Sequence, residues 1–255
     1  MMNGQSLKGS VALITGGGSG IGRATALVLG KQGAKIVITE LPSRTIQAEK
    51  VVAELKAQGV EASCIGLDVR SAMTIPYVIE YVVRTFGSLD ILINNAGIQL
   101  LKPALEIEEH EFDEVMNVNL KGAFLCCQAA GQVMSEQRNG VIVNVASQHG
   151  VVGNINRAPY CASKAGLINL TRALAIEWAE YGIRVNAISP TFVVNESNRE
   201  TLESPALMEQ IARGVPTGRA ATSEEIAWGI NYLVSPMAAM VTGHNLVVDG
   251  GWTAR

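Results

Sequence analysis

A glycine-rich turn sets the strongest limit on the folds open to this chain. The turn, TGGGSGIG at residues 15–22, follows the apolar run SVALIT and opens the stretch GIGRATALVLGKQG. The run predicts a buried strand, and the apolar spacing of the stretch predicts a helix. Because the glycines between them permit positive φ, we interpret this segment as the first part of a βαβ unit.

The same alternation continues along the chain. Further strands are predicted for KIVIT, EASCIGLDV, LDILINNAG, GVIVNVAS, IRVNAIS and HNLVVDGG, with helices over residues 43–59, 71–87 and about 159–181. The strands are continuous apolar runs, which indicates burial on both faces and hence a parallel sheet covered by helices. We therefore predict one α/β domain over residues 1–255 with a doubly wound sheet; a closed barrel also alternates, but the glycine turn in the first unit favours the open sheet.

Composition excludes several classes of protein. Hydrophobic residues make up 48% and charged residues 17%, and the net charge of −3 gives no attraction to nucleic acid or an anionic membrane. The N-terminus lacks the apolar run of a signal peptide, and no stretch approaches the ~18 apolar residues of a membrane span, so we expect a cytoplasmic protein. Four cysteines without Cys-x-x-Cys spacing and only three histidines predict reduced thiols and no metal site.

The spacing of the glycines suggests a ligand for the turn. Gly16, Gly20 and Gly22 form G-x-x-x-G-x-G. Glycines let backbone N–H groups approach a pyrophosphate, and the helix that follows directs its positive end towards it. The alternative is a tight turn without a ligand.

Acidic residues at the next strand ends bear on which dinucleotide binds. Glu40 ends the second strand, where a carboxylate can accept hydrogen bonds from the ribose hydroxyls of adenosine and repel a 2′-phosphate. No basic residue lies within GGGSG or immediately after Glu40, so we predict NAD rather than NADP. A solvated loop carboxylate is the alternative. Asp68, which ends the third strand, is predicted to lie at the edge of the adenine.

Tyr160 and Lys164 suggest acid–base chemistry. They stand at i and i+4, so both side chains project from one helix face. A neighbouring ammonium and a positively charged nicotinamide favour the phenolate, and we expect them to lower the pKa of Tyr160 enough for proton exchange with an alcohol. Ser147 could hold the substrate oxygen. A surface pair with no function is the alternative.

Taken together, TGGGSGIG, NNAG, NVNL, Ser147 and YCASK occur in an order that resembles the short-chain dehydrogenase/reductase family over about residues 7–251. The resemblance implies a single Rossmann-like domain on a seven-stranded parallel sheet, a nicotinamide cofactor and a homotetramer built from the long helices. It also implies a catalytic set of Asn119, Ser147, Tyr160 and Lys164. In that set Asn119 would hold a water that links Lys164 to solvent, and Lys164 would bind the nicotinamide ribose.

The expected cofactor contacts lie at the carboxyl ends of the strands: Gly16, Ser19, Gly20, Ile21, Gly22, Glu40, Asp68, Val69, Asn95, Ala96, Gly97, Tyr160, Lys164, Pro190 and Val193. One departure concerns the nicotinamide carboxamide. Many relatives have Pro-Gly after the sixth strand and a threonine four residues beyond the glycine. Here Pro190 is kept, Thr191 replaces the glycine and Asn195 takes the later position, so we expect the carboxamide to be held differently.

Residues 148–157 and the region 191–215 are predicted to form a substrate pocket, with residues 191–222 acting as a lid. Gln148, His149, Asn154 and Arg157 make this pocket polar, and Ser147, His149, Arg157 and Tyr160 are the predicted substrate contacts. His149 is either a ligand-facing donor or a satisfied loop residue. Arg157 either binds a carboxylate or phosphate, or is an exposed loop or subunit-contact residue.

We therefore predict an oxidoreductase that transfers hydride between NAD(H) and a secondary alcohol or ketone, with a sugar, polyol or hydroxy acid as substrate. A 3-oxoacyl-thioester reductase is the first alternative, although it would use NADPH, and a lipophilic alcohol dehydrogenase is another. A catalytically silent NAD-binding regulator should lack one of Ser147, Tyr160 and Lys164, and none is missing.

Overall fold

Seven parallel strands form the central sheet of the computed structural model, which describes residues 6–194 and 204–254 apart from the side chain of Ala206. The strands are β1 (Val11–Thr15), β2 (Lys35–Glu40), β3 (Ala62–Gly66), β4 (Ile91–Asn94), β5 (Gly140–Val145), β6 (Ile183–Pro190), β7 (Val193–Val194), β8 (Ala221–Thr222) and β9 (Asn245–Val248). The sheet order is β3-β2-β1-β4-β5-β6-β9, and β7 and β8 form a separate parallel pair. The prediction of a doubly wound parallel sheet is confirmed.

Helices cover both faces of the sheet. They are α1 (Gly20–Lys31), α2 (Thr45–Ala57), α3 (Thr74–Phe86), α4 (Glu109–Met116), α5 (Ala123–Gln137), α6 (Ala158–Trp178), α7 (Pro205–Gly214) and α8 (Ser223–Val234). A six-residue π-helical turn, Asn117–Gly122, joins α4 to α5. The long helix predicted from about residue 159 is α6.

Each central strand packs against helices on two sides. Ala12 and Ile14 of β1 belong to a core with α1, α2 and α8, whereas Val11 and Leu13 belong to a second core with α3, α5 and α6. Because alternate side chains of a strand point to opposite faces, a strand in this position must be apolar at every residue. This explains the continuous apolar runs in the sequence.

The strand order places a crevice at the carboxyl ends of β1 and β4. Chain order runs outward from β1 through β2 to β3, and then resumes on the other side of β1 at β4. Connections that leave in opposite directions from neighbouring strands open a gap above the sheet, where ligands bind in open α/β folds. The glycine turn after β1 and the NNAG segment after β4 border this gap.

The described residues contain neither a helix suited to span a membrane nor a cluster of metal ligands. None of the helices there is both long and apolar enough to span a membrane. No group of three or more His, Cys, Asp or Glu residues in those ranges is placed to hold a metal ion.

Candidate active site

A cavity of about 400 Å³ lies above the carboxyl ends of β1, β4, β5 and β6, and we call it the central cavity. Its wall includes most of the residues predicted from the sequence: Gly16, Ser19, Gly20, Ile21, Asn95, Gly97, Ser147, Gln148, His149, Arg157, Tyr160, Lys164, Pro190 and Val193. A smaller side cavity of about 190 Å³ adjoins it and is lined by Glu40, Asp68, Val69 and Ala96, among others. Asn119 and Gly22, which were also predicted as site residues, line neither cavity.

Hydrogen bonds fasten the glycine turn to the end of β4. The Thr15 hydroxyl accepts from the backbone N–H groups of Asn95 and Ala96, both at 3.0 Å. The Asn95 side-chain amide donates to the carbonyl oxygens of Thr15 and Gly16, at 3.0 and 2.9 Å. Two segments about 80 residues apart are therefore held in one arrangement around the crevice.

The turn has the shape required to hold a phosphate group. Gly16 and Gly20 have φ of +63° and +52°, a region that glycine adopts without strain. A Cβ on Gly22 would overlap the Gly16 carbonyl oxygen, and one on Gly16 would lie 3.2 Å from the Ala96 Cα. The Ser19 side chain makes no capping bond to α1, and the first turn of that helix has no acidic residue. Because the first N–H groups and the positive end of α1 face the central cavity, the glycine turn and the start of α1 fit a dinucleotide pyrophosphate.

Glu40 lines the side cavity with a carboxylate held by backbone donors. Gly18 N–H donates to Oε2 at 3.3 Å, and Leu41 N–H donates to Oε1 at 3.1 Å. The side chain is only 7% exposed, so the alternative of a solvated loop carboxylate is wrong. This arrangement fixes a negative charge beside the glycine turn.

Two arginines that the sequence analysis did not consider share this side cavity. Arg44 lies four residues beyond Glu40, and Arg70 approaches from the end of β3. Arg70 Nη2 contacts Asp68 Oδ2 at 2.6 Å, and its Nε donates to both Asp68 oxygens at 3.0 Å. The guanidinium hydrogen bonds lower the pKa of Asp68. Asp68 therefore reaches the cavity as half of an ion pair, and its contact with adenine stays a prediction.

Asn119 lies in the π-helical turn and is 1% exposed. Its Nδ2 donates to Ile98 O at 2.9 Å and to Ser163 Oγ at 3.1 Å, while its Oδ1 accepts from Ile98 N–H at 2.8 Å. The turn is thereby bonded to α6 and to the segment after β4. π-helical turns are frequent at functional sites, but no simple periodicity in the sequence predicts one.

Ser147, Tyr160 and Lys164 meet on one side of the central cavity. Ser147 follows β5, and its hydroxyl acts on the Tyr160 phenol to lower the pKa of that phenol. Lys164 is 4% exposed, and its Nζ donates to Val145 O at 2.8 Å. The same Nζ lies 5.7 Å from the centroid of the Tyr160 ring. The phenol, the hydroxyl and the ammonium therefore converge next to the glycine turn, and the alternative of a surface pair is wrong.

The expectation that Lys164 lowers the pKa of Tyr160 is wrong for the protein alone. Burial raises the pKa of Tyr160, and the Ser147 hydrogen bond and the charge of Arg157 offset only part of this rise. Burial also lowers the pKa of Lys164 to about 8. Desolvation outweighs the effect of charge because both groups lie in a pocket of low dielectric constant and the ammonium bonds to a carbonyl instead of the phenol.

His149 stands among aromatic rings beside the cavity. Tyr160, Phe192 and Trp252 surround it in edge-to-face contacts with centroids 6.5, 6.1 and 6.3 Å away. Burial and, to a smaller extent, the charge of Arg157 lower the pKa of His149 to about 4, so the ring is neutral near pH 7. Asn154, predicted to line the pocket, does not; its amide lies 3.4 Å from His149 Nε2.

Unpartnered polar atoms concentrate in the central cavity. Six of the ten buried side-chain N and O atoms without a partner in the described ranges belong to Gln148, His149, Arg157 and Thr191. Arg157 is 8% exposed, so the alternative of an exposed loop arginine is wrong. Buried polar groups normally have partners, which makes this cluster a candidate for binding a polar ligand.

The end of β6 and the residues after it complete the wall with Pro190, Thr191, Phe192 and Val193, and Leu207 of α7 also contributes. Thr191 N–H donates to Val248 O at 3.2 Å. Asn195, expected near the nicotinamide carboxamide, lies outside the described residues. Lid motion of region 191–222 stays a prediction.

Comparisons with known proteins agree with this fold and site. A family model described as enoyl-(acyl carrier protein) reductase matches residues 16–253. The D-threitol dehydrogenase of Mycolicibacterium smegmatis is 39% identical over 98% of this chain and 95% of its own length. The 3-oxoacyl-[acyl-carrier-protein] reductase FabG of Staphylococcus aureus is 41% identical over 94% and 96%. The NAD-dependent glycerol dehydrogenase of Listeria innocua is 36% identical over 96% and 94%.

Among solved structures, a short-chain type dehydrogenase/reductase from Mycobacterium marinum superposes with a TM-score of 0.91 and 32% identity, covering 98% of this chain and 97% of that one. The chain belongs to the short-chain dehydrogenase/reductase family. It is an oxidoreductase of that family.

Proposed function

We propose that this protein transfers hydride between NAD(H) and a polar secondary alcohol or ketone. The observation that carries the proposal is the convergence of Ser147, Tyr160 and Lys164 on the cavity that the glycine turn borders. The nicotinamide would supply the hydride donor or acceptor, and the protein would supply orientation and proton transfer.

The three side chains have separate tasks in alcohol oxidation. The carbinol carbon would give up a hydride to the nicotinamide, and the hydroxyl would give up its proton to the Tyr160 oxygen, so a ketone and a protonated phenol would remain. The positive charge of the oxidised nicotinamide would favour the phenolate form of Tyr160 that accepts this proton. Ser147 Oγ would hydrogen-bond to the substrate oxygen, and Lys164 would hold the ribose of the cofactor. Ketone reduction is the reverse, with the Tyr160 phenol as the acid. A positioned acid or base contributes about 10²–10⁴-fold to the rate.

NAD is the proposed cofactor because the fixed Glu40 carboxylate would repel a 2′-phosphate. Arg44 and Arg70 in the same cavity favour a phosphate, but Arg70 is already paired with Asp68. Glu40 is buried whereas Arg44 and Arg70 are exposed, so solvent screens the two guanidinium charges more than the carboxylate. The glycerol dehydrogenase relative, named as NAD-dependent, supports the same choice.

The similarity to FabG favours a second candidate, reduction of a 3-oxoacyl thioester. A long acyl chain would be bound best against apolar side chains. The wall formed by Gln148, His149 and Arg157 is polar, which supports a polyol, a sugar or a hydroxy acid. The threitol and glycerol dehydrogenase relatives act, by name, on polyols.

The test follows nicotinamide absorbance with purified protein. Alditols, aldoses, hydroxy acids and a 3-oxoacyl thioester are each offered with NAD(H) and with NADP(H). We expect oxidation of a polyhydroxylated alcohol with NAD⁺ at a higher kcat/KM than with NADP⁺. A preference for the thioester with NADPH would replace this proposal by the second candidate. Tight NAD⁺ binding without any turnover would indicate the silent regulator.

A homotetramer in the cytoplasm completes the proposal. Phe112 on α4 and Ile176 on α6 are 42% and 82% exposed, which suits helix packing between subunits. None of the four cysteines is paired, which suits a reducing compartment. Light scattering at several concentrations tests the mass of the assembly.

A further inference from the structure

Arg157 stands where a cation is electrostatically unfavourable. It is 8% exposed, and its Nε and Nη1 atoms have no hydrogen-bond partner in the described part of the chain. It is also the N-cap residue of the 21-residue helix α6, so it meets the positive end of that helix. A guanidinium stays protonated at any pH that proteins experience, and burying it unpaired is costly.

The surroundings of Arg157 offer nothing to balance this charge. Among the described residues, the wall of the central cavity contains Arg157 and Lys164 as cations and no aspartate or glutamate. His149 is neutral near pH 7. The Gln148 amide, which is 1% exposed, has no partner for either Nε2 or Oε1.

We infer that Arg157, with Gln148 of the same cavity wall, binds an anionic group of the substrate, a carboxylate or a phosphate. The inference rests on the proposed function, because it names the substrate class of the same cavity. The planar guanidinium can donate two parallel hydrogen bonds to either oxyanion, and the Gln148 amide can donate a third. The substrate is therefore a polyhydroxylated acid or a phosphorylated polyol, oxidised at a carbinol within reach of Tyr160.

A second role for Arg157 must be separated from this one. Its charge lowers the pKa of Tyr160, so it can also act on catalysis through the phenol. That effect applies equally to charged and neutral substrates because both use the same phenol. An anion site instead changes the ratio of kcat/KM for charged substrates to kcat/KM for neutral ones.

The experiment therefore compares matched substrates. Alditols of three to six carbons are tested with NAD⁺ against the corresponding aldonates and terminal alditol phosphates. We expect the wild-type kcat/KM to favour one of the two anionic series by about 10- to 100-fold, since hydrogen bonds to a charged group contribute that much. Arg157→Met should abolish the preference, and Arg157→Lys should keep part of it. Arg172→Met, at an exposed position on the same helix, should keep it all.

Thermal unfolding supplies a readout without turnover. In the presence of NAD⁺, the preferred anionic compound should raise the Tm of the wild type and of Arg172→Met, but not that of Arg157→Met. Without ligands, Arg157→Met should melt no lower than the wild type, because an apolar side chain replaces an unpaired buried cation. A lower Tm would instead indicate a structural role and overturn the inference.

The outcomes separate this inference from the proposed function. The anion site is overturned if the wild type and Arg157→Met both oxidise alditols at least as well as both anionic series. That result would leave the proposed dehydrogenase activity intact. Absence of turnover with every compound overturns the proposed function. In that case an Arg157-dependent rise in Tm with the aldonate or phosphate would still support the anion site.

Discussion

The Lys164 ammonium donates a hydrogen bond to the Val145 carbonyl oxygen at 2.8 Å, which ties the first turns of α6 to the end of β5. Ser147 lies two residues after Val145, and Tyr160 lies one helical turn before Lys164. The bond therefore sets the distance between the two groups that would face the substrate oxygen. It also holds the ammonium away from the phenol, in keeping with the raised pKa of Tyr160.

Tyr160→Phe should remove the proton carrier and leave the fold in place. We expect kcat to fall by about 10²–10⁴-fold, because positioned acid–base catalysis contributes that much. The Tm should stay within a few degrees of the wild type. Tyr77→Phe, on the exposed side of α3, is the control and should retain full activity. Wild-type turnover by Tyr160→Phe with bound NAD would show that another group carries the proton.

His149 should make the stability of the protein depend on pH. Burial lowers the pKa of its ring from 6.5 to about 4, so between these values the unfolded chain binds a proton that the folded chain does not. The free energy of unfolding should fall as pH falls from 6.5 to 4, by on the order of 2 kcal/mol after allowance for solvent screening.

Urea unfolding across this pH range measures the effect. His149→Phe, which places an apolar ring among Phe192 and Trp252, should flatten the dependence. His110→Gln is the matched control, since His110 is exposed at the start of α4, and it should keep the wild-type slope. An unchanged slope in His149→Phe would assign the dependence to other groups.

Gly22→Ala should damage the glycine turn. A methyl group at this position overlaps the Gly16 carbonyl oxygen and would lie 2.7 Å from the Asn95 amide nitrogen. Because both belong to the hydrogen-bonded junction, we expect a loss of about 1–3 kcal/mol in unfolding free energy and at least tenfold weaker NAD binding. Calorimetric titration and urea unfolding test both. Gly153→Ala is the control because a Cβ there meets nothing within 4 Å, and its stability should not fall.

Glu40→Ala should shift the choice of cofactor. Removing the carboxylate leaves the guanidinium groups of Arg44 and Arg70 in the wall of the side cavity, together with Asp68 and Glu114, which pair with Arg70. We expect the ratio of kcat/KM for NADP⁺ to that for NAD⁺ to rise by tenfold or more. Glu49→Ala, on the exposed face of α2, should leave the ratio unchanged. No change in Glu40→Ala would mean that Glu40 does not select against the phosphate.

Features that depend on local order along the chain were predictable from the sequence. The strand–glycine–helix pattern located the turn at Gly16 to Gly22, and continuous apolar runs identified a sheet covered on both faces. The four-residue spacing of Tyr160 and Lys164 put both on one face of a helix. Each of these properties is set by neighbours within a few residues.

Features that depend on packing between distant parts of the chain were not predictable from the sequence. The placement of Arg70 and Glu40 in one side cavity requires β2 and β3 to pair in one register. The burial of Arg157 depends on the assembled fold, and the raised pKa of Tyr160 depends on the burial of its phenol. No spacing in the sequence encodes these three facts, because solvent exclusion is a property of the assembled site.

The π-helical turn at Asn117–Gly122 gives this part of the chain one residue more than a regular helix would need. Its hydrogen bonds span one more residue than those of an α-helix, so a one-residue deletion that restored a regular helix would leave the rotation of α5 nearly unchanged. Cys126, Cys127 and Ala130 would keep facing the sheet. Asn119 would move instead, and its hydrogen bonds to Ile98 and Ser163 would be lost, so such a deletion would disrupt the site and spare the layer of helices.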